Sequence, residues 1–308
     1  MTKKIIIDTD IGDDIDDAYA LSLLCVMPEV ECLGVVTVFK DVDTRCKMAR
    51  MMLDCGGMTN VPVYKGFSHP LNQDILYGRP IDYKEKLWSY LPDCEAHAGE
   101  FGDGYEFYIK TLENAKEPIT IVTIGAMTNV GYLIKNRPDL LPKIEKIVIM
   151  GGAYDMNYHE YNFSCDPEAV EIVLRADVKK VAVGLDVTFK CFLNKEDLDV
   201  IKSIDHPLTD KLVKLLRPDQ NRVWLHDPLT LYYLVNESIF NFKPGLIHVE
   251  TEGKYTRGMV AKMDNDNWKL SSEGSRFKYA MSCDSKVFIE DYIKRLSKLN
   301  EEKENVAG

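Results

Sequence analysis

The sequence predicts an α/β protein in which helices flank one mostly parallel central sheet. Short β-rich apolar runs at residues 5–7, 33–38, 119–124, 147–150 and 181–185 read as buried strands. Segments with helical spacing, at 18–27, 44–53, 168–174 and 229–235, lie between or after them. That alternation is the signature of βαβ units. No Pro/Gly/Ser-rich linker, repeat or low-complexity stretch divides the chain, so residues 1–299 are expected to form one domain and 300–308 a frayed tail. A last helix at 284–296 should pack Phe288, Tyr292 and Leu296, spaced four apart, onto the core.

Bulk composition narrows the class. Of 308 residues, 45% are hydrophobic and 28% charged, enough to bury a substantial core. A net charge of −11 disfavours nucleic acid and anionic membranes as partners. The eight cysteines form no CxxC pair and sit in apolar stretches such as Leu24-Cys25-Val26, where free thiols act as small hydrophobes; a reducing cytoplasm is the expected compartment. Before Asp8 only Ile5, Ile6 and Ile7 form an apolar run, too short for a signal peptide, and no run reaches membrane-spanning length.

Four clusters carry chemistry, and in open parallel sheets such groups collect beyond the C-terminal ends of strands. The first strand feeds a loop holding Asp8, Asp10, Asp13, Asp14, Asp16 and Asp17. Helix capping accounts for one or two of these carboxylates, and the rest repel one another unless a cation neutralises them. Oxygen-only donors on a flexible loop suit calcium better than magnesium. An EF-hand is excluded, because its twelfth position would be Tyr19 and the preceding element is a strand. A haloacid-dehalogenase-type phosphatase also opens with an apolar strand and Asp-x-Asp, though with Thr or Val where Gly12 stands, so the loop alone leaves both readings open.

His226-Asp227-Pro228 reads as a helix start with Asp227 as N-cap, which leaves the histidine as a candidate general acid. Glu160 and Asn162 flank Tyr161, and in an extended loop both would face one side, as sugar ligands should. Asp166-Pro167 reads as another helix start. Ile124-Gly125-Ala126-Met127-Thr128-Asn129 is a strand end whose carbonyls could reach a cation, with Thr128 as a cap.

Taken in order, these segments resemble the inosine/uridine-preferring nucleoside hydrolase family. The family's Asp-x-Asp-x-Gly and Asp-Asp-Ala are similar to Asp8-Thr9-Asp10-Ile11-Gly12 and Asp16-Asp17-Ala18. Its Gly-x-Leu-Thr-Asn, Met-Gly-Gly and Glu-Phe-Asn are similar to residues 125–129, 150–152 and 160–162, and Asp-Pro-Glu-Ala and His-Asp-Pro to 166–169 and 226–228. Thr256-Arg257-Gly258 also looks like a family segment.

The resemblance implies a Rossmann-like nucleoside hydrolase fold and hydrolysis of ribonucleosides to base and ribose. It also implies nucleoside salvage in the cytoplasm and a homo-oligomer of two or four chains. It implies Ca2+ held by Asp10, Asp17, Asp227 and the main-chain oxygen of Ile124, with Asp10 as general base on the attacking water. His226 would protonate or polarise the departing base, and Asp16, Glu160 and Asn162 would hold the ribose. Because the aspartate loop is longer than the commoner pattern, Asp14 is a second ribose candidate. Asp41, in Lys40-Asp41 where the family carries Gly-Asn, Asn157 and His97 complete the substrate-binding candidates. A phosphatase, or a ribosyl-binding protein without turnover, are the competing readings.

Overall fold

The computed structural model describes residues 2–72, 75–76, 79–83, 85–263 and 276–306. Nine strands form the central sheet: β1 (Lys3–Thr9), β2 (Val30–Thr37), β3 (Val63–Lys65), β4 (Gly102–Asp103), β5 (Ile119–Thr123), β6 (Ile144–Met150), β7 (Lys179–Val183), β8 (Phe240–Pro244) and β9 (Phe277–Cys283). Their spatial order is β8-β9-β7-β6-β5-β1-β2-β3-β4. All pairs are parallel except β8 with β9, which is antiparallel and closes one edge.

Eleven α-helices are described: α1 (Asp16–Cys25), α2 (Val42–Cys55), α3 (Gly104–Glu113), α4 (Thr128–Asn136), α5 (Tyr161–Cys165), α6 (Pro167–Arg175), α7 (Leu185–Thr188), α8 (Lys195–Lys202), α9 (Pro207–Lys214), α10 (His226–Tyr232) and α11 (Ser285–Val306). None is long and apolar enough to cross a membrane.

Strand periodicity divides the core. Ile5 and Ile7 of β1 point to one face, with Val35, Val122 and Val148, and meet Tyr19, Met48, Leu229, Phe288 and Tyr292. Ile6 points to the other face, with Val36, Ile121 and Ile147, and meets Tyr108, Val130, Leu133 and Val173. Successive side chains leave opposite faces of a strand, so strands covered on both sides are apolar throughout. The last helix buries Phe288, Tyr292 and Leu296 as expected and continues to Val306, beyond the expected end.

This topology positions the site. From β1 the chain winds outward through β2, β3 and β4, then returns to β5 on the other side of β1. Between the C-terminal ends of β1 and β5 the connections diverge, leaving the crevice where open α/β sheets bind ligands. Asp10 follows β1 and Ile124 follows β5.

Candidate active site

A cavity of about 630 Å3 opens at this crevice. Asp10, Asp14, Asp16, Asp17, Ile124, Glu160, Asn162, His226 and Asp227 all line it. The structure therefore gathers most of the expected residues from four separate segments. It does not gather Asp41, Asn157 or His97. The Asp41 carboxylate caps α2, accepting from Thr44 N (3.1 Å) and Thr44 Oγ1 (2.8 Å), and the preceding Lys40 faces the cavity instead. His97 lies on the 3-10 turn Pro92–His97, with Nδ1 2.7 Å from Asp54 Oδ2, away from the cavity. Asn157 is exposed, and its neighbour Tyr158 lines the cavity in its place.

At the floor, one carboxylate oxygen from each of Asp16, Asp17 and Asp227 lies within 4.8 Å of the others, and all three residues are buried. Asp17 Oδ1 accepts from Thr9 Oγ1 at 2.5 Å, and Asp16 Oδ2 accepts from the Asp227 N–H at 3.2 Å. Burial, then repulsion from neighbouring aspartates of the loop, holds each carboxyl well above the usual carboxylate range. Asp227 is not the helix cap its sequence suggests. Leu225 occupies that position without a side-chain bond, so the Asp227 carboxylate is available to the cluster.

Asp10 is not one of the convergent trio but stands close enough to repel each member. Burial pushes its pKa up to about 7; Arg45 opposes the rise, and Asp13 and Glu160 add to it. Ile124 lines the cavity, and its main-chain oxygen accepts from Asn162 Nδ2 at 3.2 Å. Gly125 permits this approach of β5 to β1: a Cβ there would sit 2.7 Å from Asp10 N and 2.9 Å from Asp10 Oδ1. A buried trio of carboxylates, flanked by a further carboxylate and a carbonyl, matches the oxygen-only donor set of a hard cation.

Glu160 and Asn162 do not lie on an extended loop. Glu160 caps α5, and its carboxylate accepts from the N–H groups of Gly152 (3.0 Å), Asn162 (2.8 Å) and Phe163 (2.9 Å). Three main-chain donors fix the carboxylate's orientation; burial still raises its pKa. Asp166 does cap α6, accepting from Ala169 N at 3.0 Å. Thr128 is no cap; its hydroxyl donates to Asp166 Oδ2 at 2.7 Å.

On the opposite wall, His226 Nδ1 lies 2.7 Å from Thr188 Oγ1, and the Phe189 ring meets the imidazole edge-on at 5.5 Å between centroids. Burial pushes the His226 pKa down to about 4, so the ring is neutral near pH 7. A neutral imidazole whose Nδ1 is tied to a hydroxyl can present Nε2 to a ligand in one tautomer.

Residues outside the expected set also shape the site. Asp8, wholly buried behind Asp10, accepts at Oδ2 from Tyr108 Oη and Asn129 Nδ2, both at 2.8 Å. Burial pushes its pKa up to about 7. Arg45 of α2 is fully buried and reaches the aspartate loop. Phe39 (φ 67°) and Lys40 (φ 58°) are both left-handed, a conformation costing non-glycine residues roughly 1–2 kcal/mol each. The resemblance places the family's glycine at Lys40, and the strain brings an ammonium into the cavity wall instead.

Residues 5–290 match the family described as inosine-uridine preferring nucleoside hydrolase. A pyrimidine-specific ribonucleoside hydrolase, RihA, of Salmonella schwarzengrund is 31% identical over 312 residues, spanning 96% of this chain and 99% of the relative. The RihA of Salmonella typhimurium is 32% identical over 313 residues, with the same shares. Among solved structures, a plant nucleoside hydrolase superposes with a TM-score of 0.81 at 23% identity over 96% of this chain and 99% of that one. A purine-preferring ribonucleoside hydrolase from Gardnerella vaginalis gives 0.75 at 25% identity over 97% and 99%. With the match running from the first strand to the last helix, the chain belongs to the inosine-uridine preferring nucleoside hydrolase family and is a hydrolase of N-glycosyl bonds.

Proposed function

We propose that this chain hydrolyses ribonucleosides to free base and ribose in a calcium-dependent reaction centred on the Asp10–Asp17 loop. The observation that carries the reading is the convergence of Asp16, Asp17 and Asp227 at the floor of a cavity that Glu160, Asn162 and His226 also line. Asp17 and Asp227, with Asp10 and the Ile124 carbonyl, would hold the cation. Bound there, calcium supplies positive charge that favours ionisation of a nearby water and orders the sugar hydroxyls.

This chain's residues do the remainder. Asp10 takes the proton of the water as its oxygen bonds to C1′. Asp16, anchored by the Asp227 N–H, holds ribose hydroxyls from one side, and Glu160 and Asn162 hold the sugar from the other. As the C1′–N bond breaks, positive charge develops on the sugar, and the surrounding carboxylates stabilise it because they are oriented beforehand. The electron pair leaves with the base. Neutral His226, presenting Nε2–H, would polarise the base by hydrogen bonding to it.

Uridine and cytidine come first in the test, because the RihA relatives are described as pyrimidine-specific. Incubation should release free base and free ribose. Release of phosphate from phosphate esters without ribose release from any nucleoside would favour the phosphatase reading and sink this one. The His226→Ala variant should lose about 10–10²-fold in kcat on the best nucleoside, the scale of assistance to a leaving group. On p-nitrophenyl riboside, whose leaving group needs no such help, it should stay within about threefold of wild type. Equal losses on both substrates would remove His226 from the mechanism.

A further inference from the structure

We propose that Asp13, Arg45 and Tyr161 form a positioning unit that locks the loop bearing Asp10 against the segment bearing Glu160 and Asn162. Asp13 Oδ2 accepts from Arg45 Nη2 at 3.0 Å and from Tyr161 Oη at 2.8 Å, while Lys40 Nζ stands 3.4 Å from Oδ1. Four segments thus meet on one carboxylate: the aspartate loop, α2, the start of α5 and the turn after β2.

Arg45 is the anchor. Its side chain is fully buried, and a buried guanidinium is tolerated only when its donors are met. Nε donates to Phe39 O at 2.6 Å, and Nη1 donates to the main-chain oxygens of Asp10 and, at 3.0 Å, of Ile11. The guanidinium therefore grips the backbone of the proposed base itself, and its Phe39 partner belongs to the left-handed turn that delivers Lys40. A planar five-donor fork can hold three carbonyls and a carboxylate together, whereas a lysine ammonium cannot.

Tyr161 ties this anchor to the sugar side. It lies between Glu160 and Asn162, and its hydroxyl is what it adds to the phenylalanine of the family's Glu-Phe-Asn pattern. Asp13 itself is occupied by cations and a phenol and is thereby set apart from the convergent trio of Asp16, Asp17 and Asp227.

The kinetic part of this inference rests on the proposed ribonucleoside hydrolysis; the structural part does not. Tyr161→Phe removes one hydroxyl and Asp13→Asn one charge, and both are tested alone and together. Hydrogen–deuterium exchange should rise at least about threefold in both the 10–17 and the 160–165 segments in either single variant. With the best-hydrolysed ribonucleoside, kcat should fall about 10-fold for Tyr161→Phe and about 10²-fold for Asp13→Asn. The double variant should be no worse than Asp13→Asn, because both changes act on the same contact. Arg45→Lys, which keeps the charge without the fork, should retain more activity than Arg45→Met and less than wild type.

Exchange that rises only in the mutated segment, or in neither, would overturn the unit. So would additive losses in the double variant, or activity within twofold of wild type in Asp13→Asn. If no ribonucleoside is hydrolysed by the wild type, the functional reading fails, and the exchange experiment still decides the unit.

Discussion

Replacing Asp10 by Asn should lower kcat by about 10²-fold or more, the scale expected when a general base is removed. The amide keeps the shape of the carboxylate but cannot take a proton from water. The fold should hold, because Arg45 binds the Asp10 main-chain oxygen and the substitution leaves that bond in place. In the metal-free protein stability should even rise slightly, since burial, with repulsion from Asp13 and Glu160, disfavours the native carboxylate more than Arg45 favours it. Steady-state kinetics beside a thermal melt separate the two effects. Turnover within a few-fold of wild type would assign the proton transfer to another carboxylate of the loop.

Withdrawal of the cation should have the second large effect. With Asp16, Asp17 and Asp227 converging in a buried site, chelation leaves their repulsion uncompensated. Dialysis against EGTA should reduce turnover by about 10²-fold or more, and added calcium should restore it. A cation present at a hundred times its dissociation constant adds about 2.7 kcal/mol to stability. For a chain of 308 residues that corresponds to a fall in Tm of roughly 4 °C on chelation. An unchanged Tm and full activity in EGTA would contradict a metal-assembled site.

The parts of this molecule that were legible in sequence share a physical reason. Strands β1, β2, β5, β6 and β7 are covered on both faces and so carry largely apolar runs such as Ile5-Ile6-Ile7. Strands β3 and β4 have only 3 and 2 residues, too few to show any period. Strand β9, Phe-Lys-Tyr-Ala-Met-Ser-Cys, mixes buried and exposed positions, and it escaped the reading along with its partner β8.

In the site, the aspartates were visible because they are neighbours in sequence. Arg45 was not. The loop carbonyls and the carboxylate it holds lie 32 to 35 residues away, and Arg-Cys-Lys on an amphipathic helix looks like a solvent face. Thr188 lies 38 residues from His226, and its role depends wholly on tertiary placement. Asp41 misled for a local reason: one residue after a left-handed turn, its side chain has better partners in the N–H and hydroxyl of Thr44 in its own helix than in the cavity. His97 carried only a loose similarity in sequence, and a nearby carboxylate, Asp54, takes its ring nitrogen.

The most direct test of the central claim compares uridine with 2′-deoxyuridine, or the corresponding pair for whichever ribonucleoside reacts best. If Asp16, Glu160, Asn162 and a cation at the Asp17–Asp227 floor grip the ribose hydroxyls, the 2′-OH contributes to transition-state binding, and its loss leaves buried polar groups unpaired. The expected result is release of free ribose, with kcat/KM lower for the deoxynucleoside by about 10²-fold or more. Equal kcat/KM for the two sugars would contradict the account, because the carboxylate floor would then have no part in recognising the substrate.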